Sequence, residues 1–208
     1  MDGVLVDSMP YHAEAWKQAL AKIGINIELN DIYQLEGSNH RQIVELIFKR
    51  SGRIPDEREI KEITRNKVEI FNLIEKVRPF EGMKEILLAL LPDHKLAVVS
   101  GSNRNTVYRI IDKFFPGTFH VVIDGDDTKK SKPAPDPYLK AVEKLGVLKE
   151  DCIVIENAPL GIRSARSAGI RCIAIPTYLG RERLKEADVI VENHKELIKH
   201  IQEMEKNQ

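Results

Sequence analysis

Between residues 10 and about 77 the apolar positions fall at helical spacing, and strand signal is almost absent. Ala13, Trp16, Leu20 and Ile23 predict a first helix, stopped at Gly24. Ser38 or Asn39 caps the next, which buries Ile43, Leu46 and Ile47 and ends at Gly52. Pro55 suits the first position of a long helix carrying Ile60, Ile63, Ile70, Ile74 and Val77. Lys67 falls on that same stripe, so it either snorkels past the apolar core or points into a cleft.

After Pro79 the pattern changes. Short β-branched runs at 96–99, 121–123, 153–155, 172–175 and 189–191 alternate with helical stretches near 83–90, 106–114, 138–145, 162–168 and 196–204. Runs that are apolar throughout, not alternating, predict strands buried on both faces. Strands alternating with helices predict an α/β fold with a parallel sheet. Such a sheet places its site outside the carboxyl ends of the strands. The residues there are Ser100-Gly101-Ser102-Asn103, Asp124-Gly125-Asp126, Glu156-Asn157 and Pro176-Thr177, mostly small hydroxyls and carboxylates.

Composition adds exclusions. The 208 residues carry 32 Lys+Arg and 32 Asp+Glu, a formal net charge of zero, so nothing steers the chain to nucleic acid or anionic membrane. The run Lys129, Lys130, Lys132 is offset by Asp124, Asp126 and Asp127. No apolar stretch approaches the roughly 20 residues of a bilayer span, and no charged-then-apolar leader opens the chain. Cys152 and Cys172 each begin an apolar run and read as core residues, which predicts a reducing, cytoplasmic setting without a disulfide. A monomer or weak homodimer is expected.

The first residues read Asp2-Gly3-Val4-Leu5-Val6-Asp7-Ser8. With Ser100, Lys132-Pro133 and Glu156-Asn157, in that order and spacing, they resemble the four-motif signature of the haloacid dehalogenase superfamily, over nearly the whole chain. Tyr11-His12-Ala13-Glu14-Ala15-Trp16 and Lys132-Pro133-Ala134-Pro135-Asp136 are similar to its β-phosphoglucomutase-like branch. The resemblance implies a Rossmann-like parallel-sheet core, residues 1–9 and 79–208, with a helical cap, residues 10–78, inserted after the first motif. It also implies magnesium-dependent phosphoryl transfer on a small phosphorylated sugar through an aspartyl-phosphate.

Laid on that pattern, Asp2 is the second aspartate of the first motif: the general acid/base, with its backbone carbonyl on magnesium. The nucleophilic aspartate, and the apolar strand before it, belong to positions preceding Met1. The expectation is a first central strand missing from this chain, and no turnover by these 208 residues alone. Losing about five buried apolar side chains, at roughly 1.5–3 kcal/mol each, costs on the order of 10 kcal/mol. Met1 then reads as an internal methionine of a longer gene product.

By the same resemblance Ser100 binds the transferring phosphoryl group, and Lys132 offsets charge between nucleophile and phosphate. Glu156 and Asn157 complete the magnesium site, where relatives often carry Glu-Asp. Gly101, Ser102 and Asn103 lie where backbone amides favour an anion or sugar hydroxyls. His12, Trp16 and Lys67 match substrate-facing or hinge positions of the cap. His40 or Arg41 matches a basic residue for a distal phosphate, with the register open by one. Phosphatase and phosphoglucomutase stay open. So does a non-catalytic phosphate-binding or regulatory relative, which the missing nucleophile and Asn157 favour and the joint presence of Asp2, Ser100, Lys132 and Glu156 opposes.

Overall fold

Capping side chains set the starts of several helices in the computed structural model, which describes residues 1–206. Helix α1 (Met9–Ala21) has Pro10 in its first turn, where a missing N–H is harmless. Asn39 caps α3 (His40–Arg50), accepting from the Gln42 N–H at 2.9 Å. A reciprocal capping box between Asp56 and Glu59 starts α4 (Glu57–Ile74), so the helix begins two residues after Pro55. It also ends earlier than its apolar stripe. Glu75 turns extended, and Val77 is buried from the connecting segment instead of from the helix. A short helix, α2 (Leu29–Gln34), was not expected. Its signal is the capping box of Glu28 and Asp31, since six residues are too few to display a period.

Strands β1 (Val6–Asp7) and β2 (Arg78–Pro79) pair antiparallel, Val6 opposite Pro79 and Asp7 opposite Arg78. The helical block α1–α4 leaves and rejoins the rest of the chain at that ladder. Beyond it lie α5 (Met83–Leu90), β3 (Ala97–Val99), α6 (Arg104–Phe114), β4 (Val121–Ile123), α7 (Asp136–Leu145), β5 (Ile153–Glu156), α8 (Pro159–Ala168), β6 (Arg171–Ala174), β7 (Val189–Ile190) and α9 (His194–Glu205). The strands at 121–123 and the helix at 83–90 fall where expected; the others shift by one to three residues at an end.

Strand β3 pairs parallel with β4, and β5–β6–β7 form a second parallel sheet. The two sheets are not hydrogen-bonded to one another. A cavity of about 1330 Å³ lies between them, lined by Ala97, Val98 and Val99 of β3, residues 153–156 of β5, and Met1, Val4 and Leu5.

Among the described residues four apolar clusters form, and the two largest involve the helical block. One joins Val4, Leu5 and Val6 to α5, α6 and α9. The other lies within the helical block, around Trp16, Leu20, Val44, Phe48 and Ile63. Helices α1 and α4 serve both: Ala15 and Ala19 pack into the first core from the other face of α1, and Ile70 and Phe71 do so from the C-terminal half of the apolar stripe of α4. A polar cavity is left where the block meets the carboxyl ends of β3 and β5.

Candidate active site

That cavity gathers most of the singled-out residues: Asp2, His12, Trp16, His40, Lys67, Ser100, Gly101, Ser102, Lys132, Glu156 and Asn157 all line it. Asp2 is at its centre. Oδ1 accepts from Ser8 Oγ at 2.5 Å and faces His12 Nε2 at 3.2 Å. Oδ2 accepts from Ser100 Oγ and Ser102 Oγ, both at 3.3 Å. Burial pushes this carboxyl up, but the His12 ring, the Met1 ammonium and the Ser8 hydroxyl together outweigh it and hold Asp2 below the usual carboxylate range. Asp2 is therefore ionised, with donors on both oxygens.

The end of β3 brings Ser100 and Ser102 there. Ser100 Oγ also accepts from the Ser102 N–H at 3.1 Å. Gly101 is required by close approach: a Cβ on it would sit 2.5 Å from the Ser38 carbonyl oxygen and 2.7 Å from that of Gly37. The loop before α3 thus lies directly on the end of β3.

The end of β5 carries a satisfied ion pair. Lys132 Nζ donates to Glu156 Oε1 at 2.6 Å and to the Val99 carbonyl at 3.2 Å. Tyr138 Oη donates to the same carboxylate oxygen at 2.7 Å, and Oε2 takes the N–H groups of Asn157 and Ala158. Burial raises the Glu156 carboxyl, yet Lys132 and the Tyr138 hydroxyl more than reverse that. Asn157 Nδ2 donates across to Glu36 Oε1 at 2.9 Å. Glu36, in the helical block, is pushed well above the usual carboxylate range by burial, with Glu156 and Asp2 adding to the shift against its bond from Asn157.

On the other wall, Lys67 Nζ lies 2.8 Å from His12 Nδ1 and 3.3 Å from His40 Nε2. It sits over the rings of Phe71 and Trp16. Burial drives its ammonium down to about 7. His12 stacks on Phe71 at 4.0 Å, and burial, then Lys67, lowers its pKa. The contacts fit a neutral His12 that donates from Nε2 to Asp2 and accepts at Nδ1 from Lys67.

Two expected residues are placed elsewhere. Arg41 makes a two-toothed bond to Glu57, at 2.7 and 2.6 Å, on the exposed side of α3. One helical position is a turn of about 100°, so His40 faces the cavity and Arg41 does not. Asn103 uses its side chain to cap α6, accepting from the Thr106 N–H at 3.0 Å. Sequence reasoning missed Ser8, Glu36 and Tyr138 as site groups. Ser8 was visible in the first motif; Glu36 and Tyr138 carried no local signal, because only the fold brings them to Asn157 and Glu156.

A magnesium ion asks for oxygen ligands. Asp2, Glu156 and Glu36 offer carboxylate oxygens on this wall and Asn157 its amide oxygen, so the donor set fits in kind. Among the described residues no cluster of three or more His, Cys, Asp or Glu is already arranged around one point. Glu156 is engaged by four donors, whereas Asn157 Oδ1 and Glu36 Oε2 have no hydrogen bond among the described residues.

Residues 1–175 match the haloacid dehalogenase-like hydrolase family, and the chain belongs to it. It is 28% identical over 178 residues to the fructose-1-phosphate phosphatase YqaB of Escherichia coli, covering 84% of this chain and 93% of that one. With the β-phosphoglucomutase of Bacillus subtilis it shares 29% over 181 residues, 84% of this chain and 80% of that one. A solved structure of a β-phosphoglucomutase candidate from Bacteroides vulgatus superposes with a TM-score of 0.93 at 33% identity, over 99% of this chain and 86% of that one. No helix among the described residues is long and apolar enough to cross a membrane.

Proposed function

We propose that this protein transfers the phosphoryl group of a small sugar phosphate, with magnesium, through an aspartyl-phosphate, as a phosphatase or a β-phosphoglucomutase. The observation that carries the reading is the setting of Asp2. Its carboxylate is held between hydroxyls from the end of β3 and an imidazole from the helical block, beside two buried lysines. The similarity to enzymes named as a sugar phosphatase and a phosphoglucomutase supports the substrate class.

On this reading the helical block is a cap, residues 10–78, over a core of residues 1–9 and 79–208. Space in the cavity amounts to about 50 Å³, room for water and not for a sugar. The cap therefore opens to admit substrate and closes to exclude solvent. Lys67 and His40 meet the anionic end of the sugar phosphate from the cap side. Ser100 and Lys132 hold the transferring group from the core side. Asp2 delivers a proton to the leaving oxygen and takes one from the acceptor; the arriving phosphate raises its pKa towards the range this needs. Ser8 and His12 keep its carboxylate aimed meanwhile. Asp2, through its backbone carbonyl, Glu156 and Asn157 would hold magnesium, which offsets the negative charge of the phosphoryl group.

The phosphoryl acceptor is an aspartate that the motif places just before Met1, at the end of a strand seated between β3 and β5. The facing edges of those strands and the cavity between them support that placement. Hydrolysis and phosphoglucomutase turnover share all these residues. The test is a screen of sugar phosphates with magnesium, on the 208 residues alone and on a form extended by the codons preceding Met1. Turnover is expected in the extended form, with Asp2→Asn lowering it roughly 10²- to 10⁴-fold. Full activity in the short form would sink the assignment of Asp2. Release of inorganic phosphate without isomerised sugar selects the phosphatase.

A further inference from the structure

Glu36 is a buried carboxylate that the proposed chemistry leaves unused. It follows α2 in the helical block and is 7% exposed. Among the described residues no lysine, arginine or histidine forms an ion pair with it. Its charged neighbours are Glu156 and Asp2, of its own sign, and the Met1 ammonium, whose opposing effect is the smallest of the three. A carboxylate so placed is costly unless a cation joins it. Lys132 does not fill that role, because its ammonium is committed to Glu156 and the Val99 carbonyl.

The partner Glu36 does have is informative. Asn157 Nδ2 donates to Glu36 Oε1 at 2.9 Å, which leaves Asn157 Oδ1 and Glu36 Oε2 without hydrogen bonds among the described residues, on the wall of one cavity. An aspartate at 157 would oppose two carboxylates across that distance, where both ionise only at high cost. The backbone is fitted to the pair as well. A Cβ on Gly3 would fall 2.0 Å from Asn157 Nδ2 and 3.1 Å from Glu36 Oε1. The amide at 157 and the carboxylate at 36 are thus a matched pair, one from the end of β5 and one from the helical block.

We propose that Glu36 supplies the divalent-cation site with the carboxylate that Asn157 lacks, so that the ion is held jointly by the helical block and the end of β5. This rests on the magnesium reading above. The negative charge is moved across the gap between the two layers, and the cation fastens one layer to the other. Binding of the ion and closure of the block then become a single equilibrium, since anything that withdraws Glu36 removes a ligand.

The test reads metal binding, not turnover. Mn²⁺ is titrated into the full chain and the free ion followed by electron paramagnetic resonance, for wild type, Glu36→Gln, Asn157→Asp and the double variant. Glu36→Gln is expected to weaken binding roughly 10- to 100-fold, and the double variant to regain most of it, with the charge restored on the core side. Amide exchange at residues 35–39 is expected to slow on adding Mg²⁺ to wild type but not to the double variant. Equal Mn²⁺ affinity in wild type and Glu36→Gln overturns the role of Glu36 and leaves the magnesium reading standing. Failure of wild type to bind at all overturns the magnesium reading, and this inference with it. Should Glu36→Gln not fold, the exchange measurement decides alone: no Mg²⁺-dependent slowing at 35–39 in wild type overturns the proposal.

Discussion

Lys132 and Lys67 reach one cavity from opposite sides and are buried alike, at 4% and 1% exposure, but they solve the problem of a buried ammonium differently. Lys132 has a carboxylate at 2.6 Å and a backbone carbonyl at 3.2 Å. Lys67 has two imidazole nitrogens and two aromatic faces, and no carboxylate at ion-pair distance among the described residues. The first charge is balanced within the protein. The second has no such partner, and burial holds it at about 7 although the Asp2 carboxylate favours its charge. Lys132 is thus a fixed part of the site, whereas Lys67 is available to a ligand.

The sharpest way to break this comparison is Lys132→Ala. It strands Glu156 in a buried place with its cation gone, so the expected loss is about 3–5 kcal/mol of stability, read from urea unfolding. Tyr138 and two backbone amides still donate to Glu156, but they do not cancel its charge. A variant as stable as wild type would mean that Glu156 takes up a proton instead, and that the pair is not what balances Lys132.

Lys67→Met makes the opposite pattern. The side chain keeps its length and its contacts with Trp16 and Phe71, and a buried charge is removed. Stability is expected to hold or rise. Binding of the sugar phosphate is expected to suffer by about 1.5–3 kcal/mol, the worth of a charged hydrogen bond, roughly 10- to 100-fold in KM. Steady-state kinetics on the active form checks this. A fall in kcat with KM unchanged would move Lys67 from substrate binding to the support of His12.

A smaller effect follows from pH. Lys67 titrates near 7 when folded, against roughly 10.4 in an unfolded chain. Below the folded value both states carry the proton, and the native state bears the full penalty of the buried charge. Between about 7 and 10.4 the native lysine is neutral while the unfolded one is charged, so stability rises with pH, by at most about 1.4 kcal/mol per unit. The difference in unfolding free energy between wild type and Lys67→Met, measured from pH 6 to 9, isolates that slope. Over the same range KM should increase for wild type, as the unliganded lysine loses its proton, and stay level for the variant. A flat difference would place Lys67 in contact with water.

The two lysines also differ in how far sequence alone reveals them. Lys132 was legible because Lys-Pro beside the strand-end motifs matches a family pattern, and the structure puts it at the site. Lys67 showed as a cation on an apolar stripe that also matches a cap position of the family, which left snorkelling and cleft open; the position of α4 over the cavity decides. The α/β alternation, the helical block and the strand-end residues were legible because each has a local period or a motif. Pairings across the chain were not. Tyr138 with Glu156, and Glu36 with Asn157, are separated by 18 and 121 residues, and nothing local marks Tyr138 or Glu36. Val77 continued the helical stripe by spacing but left the helix because Glu75 turns extended.

Arg41 offers the finest test, since it is the other cation expected near a distal phosphate. Its guanidinium grips Glu57 on the exposed face of α3, with side chains 47% and 67% exposed. Exposed pairs of this kind contribute little. Arg41→Ala should therefore leave both the unfolding midpoint and KM unchanged, while His40→Ala, which removes a ring facing Lys67 and Trp16, should raise KM. The two neighbours differ by one step around a helix, so the contrast reads the register directly. If instead Arg41→Ala raises KM and His40→Ala does not, the arginine must leave Glu57 and enter the cavity as the cap closes on substrate. Lys67 would then share its anion with a third cation, and its available charge would no longer account for binding alone.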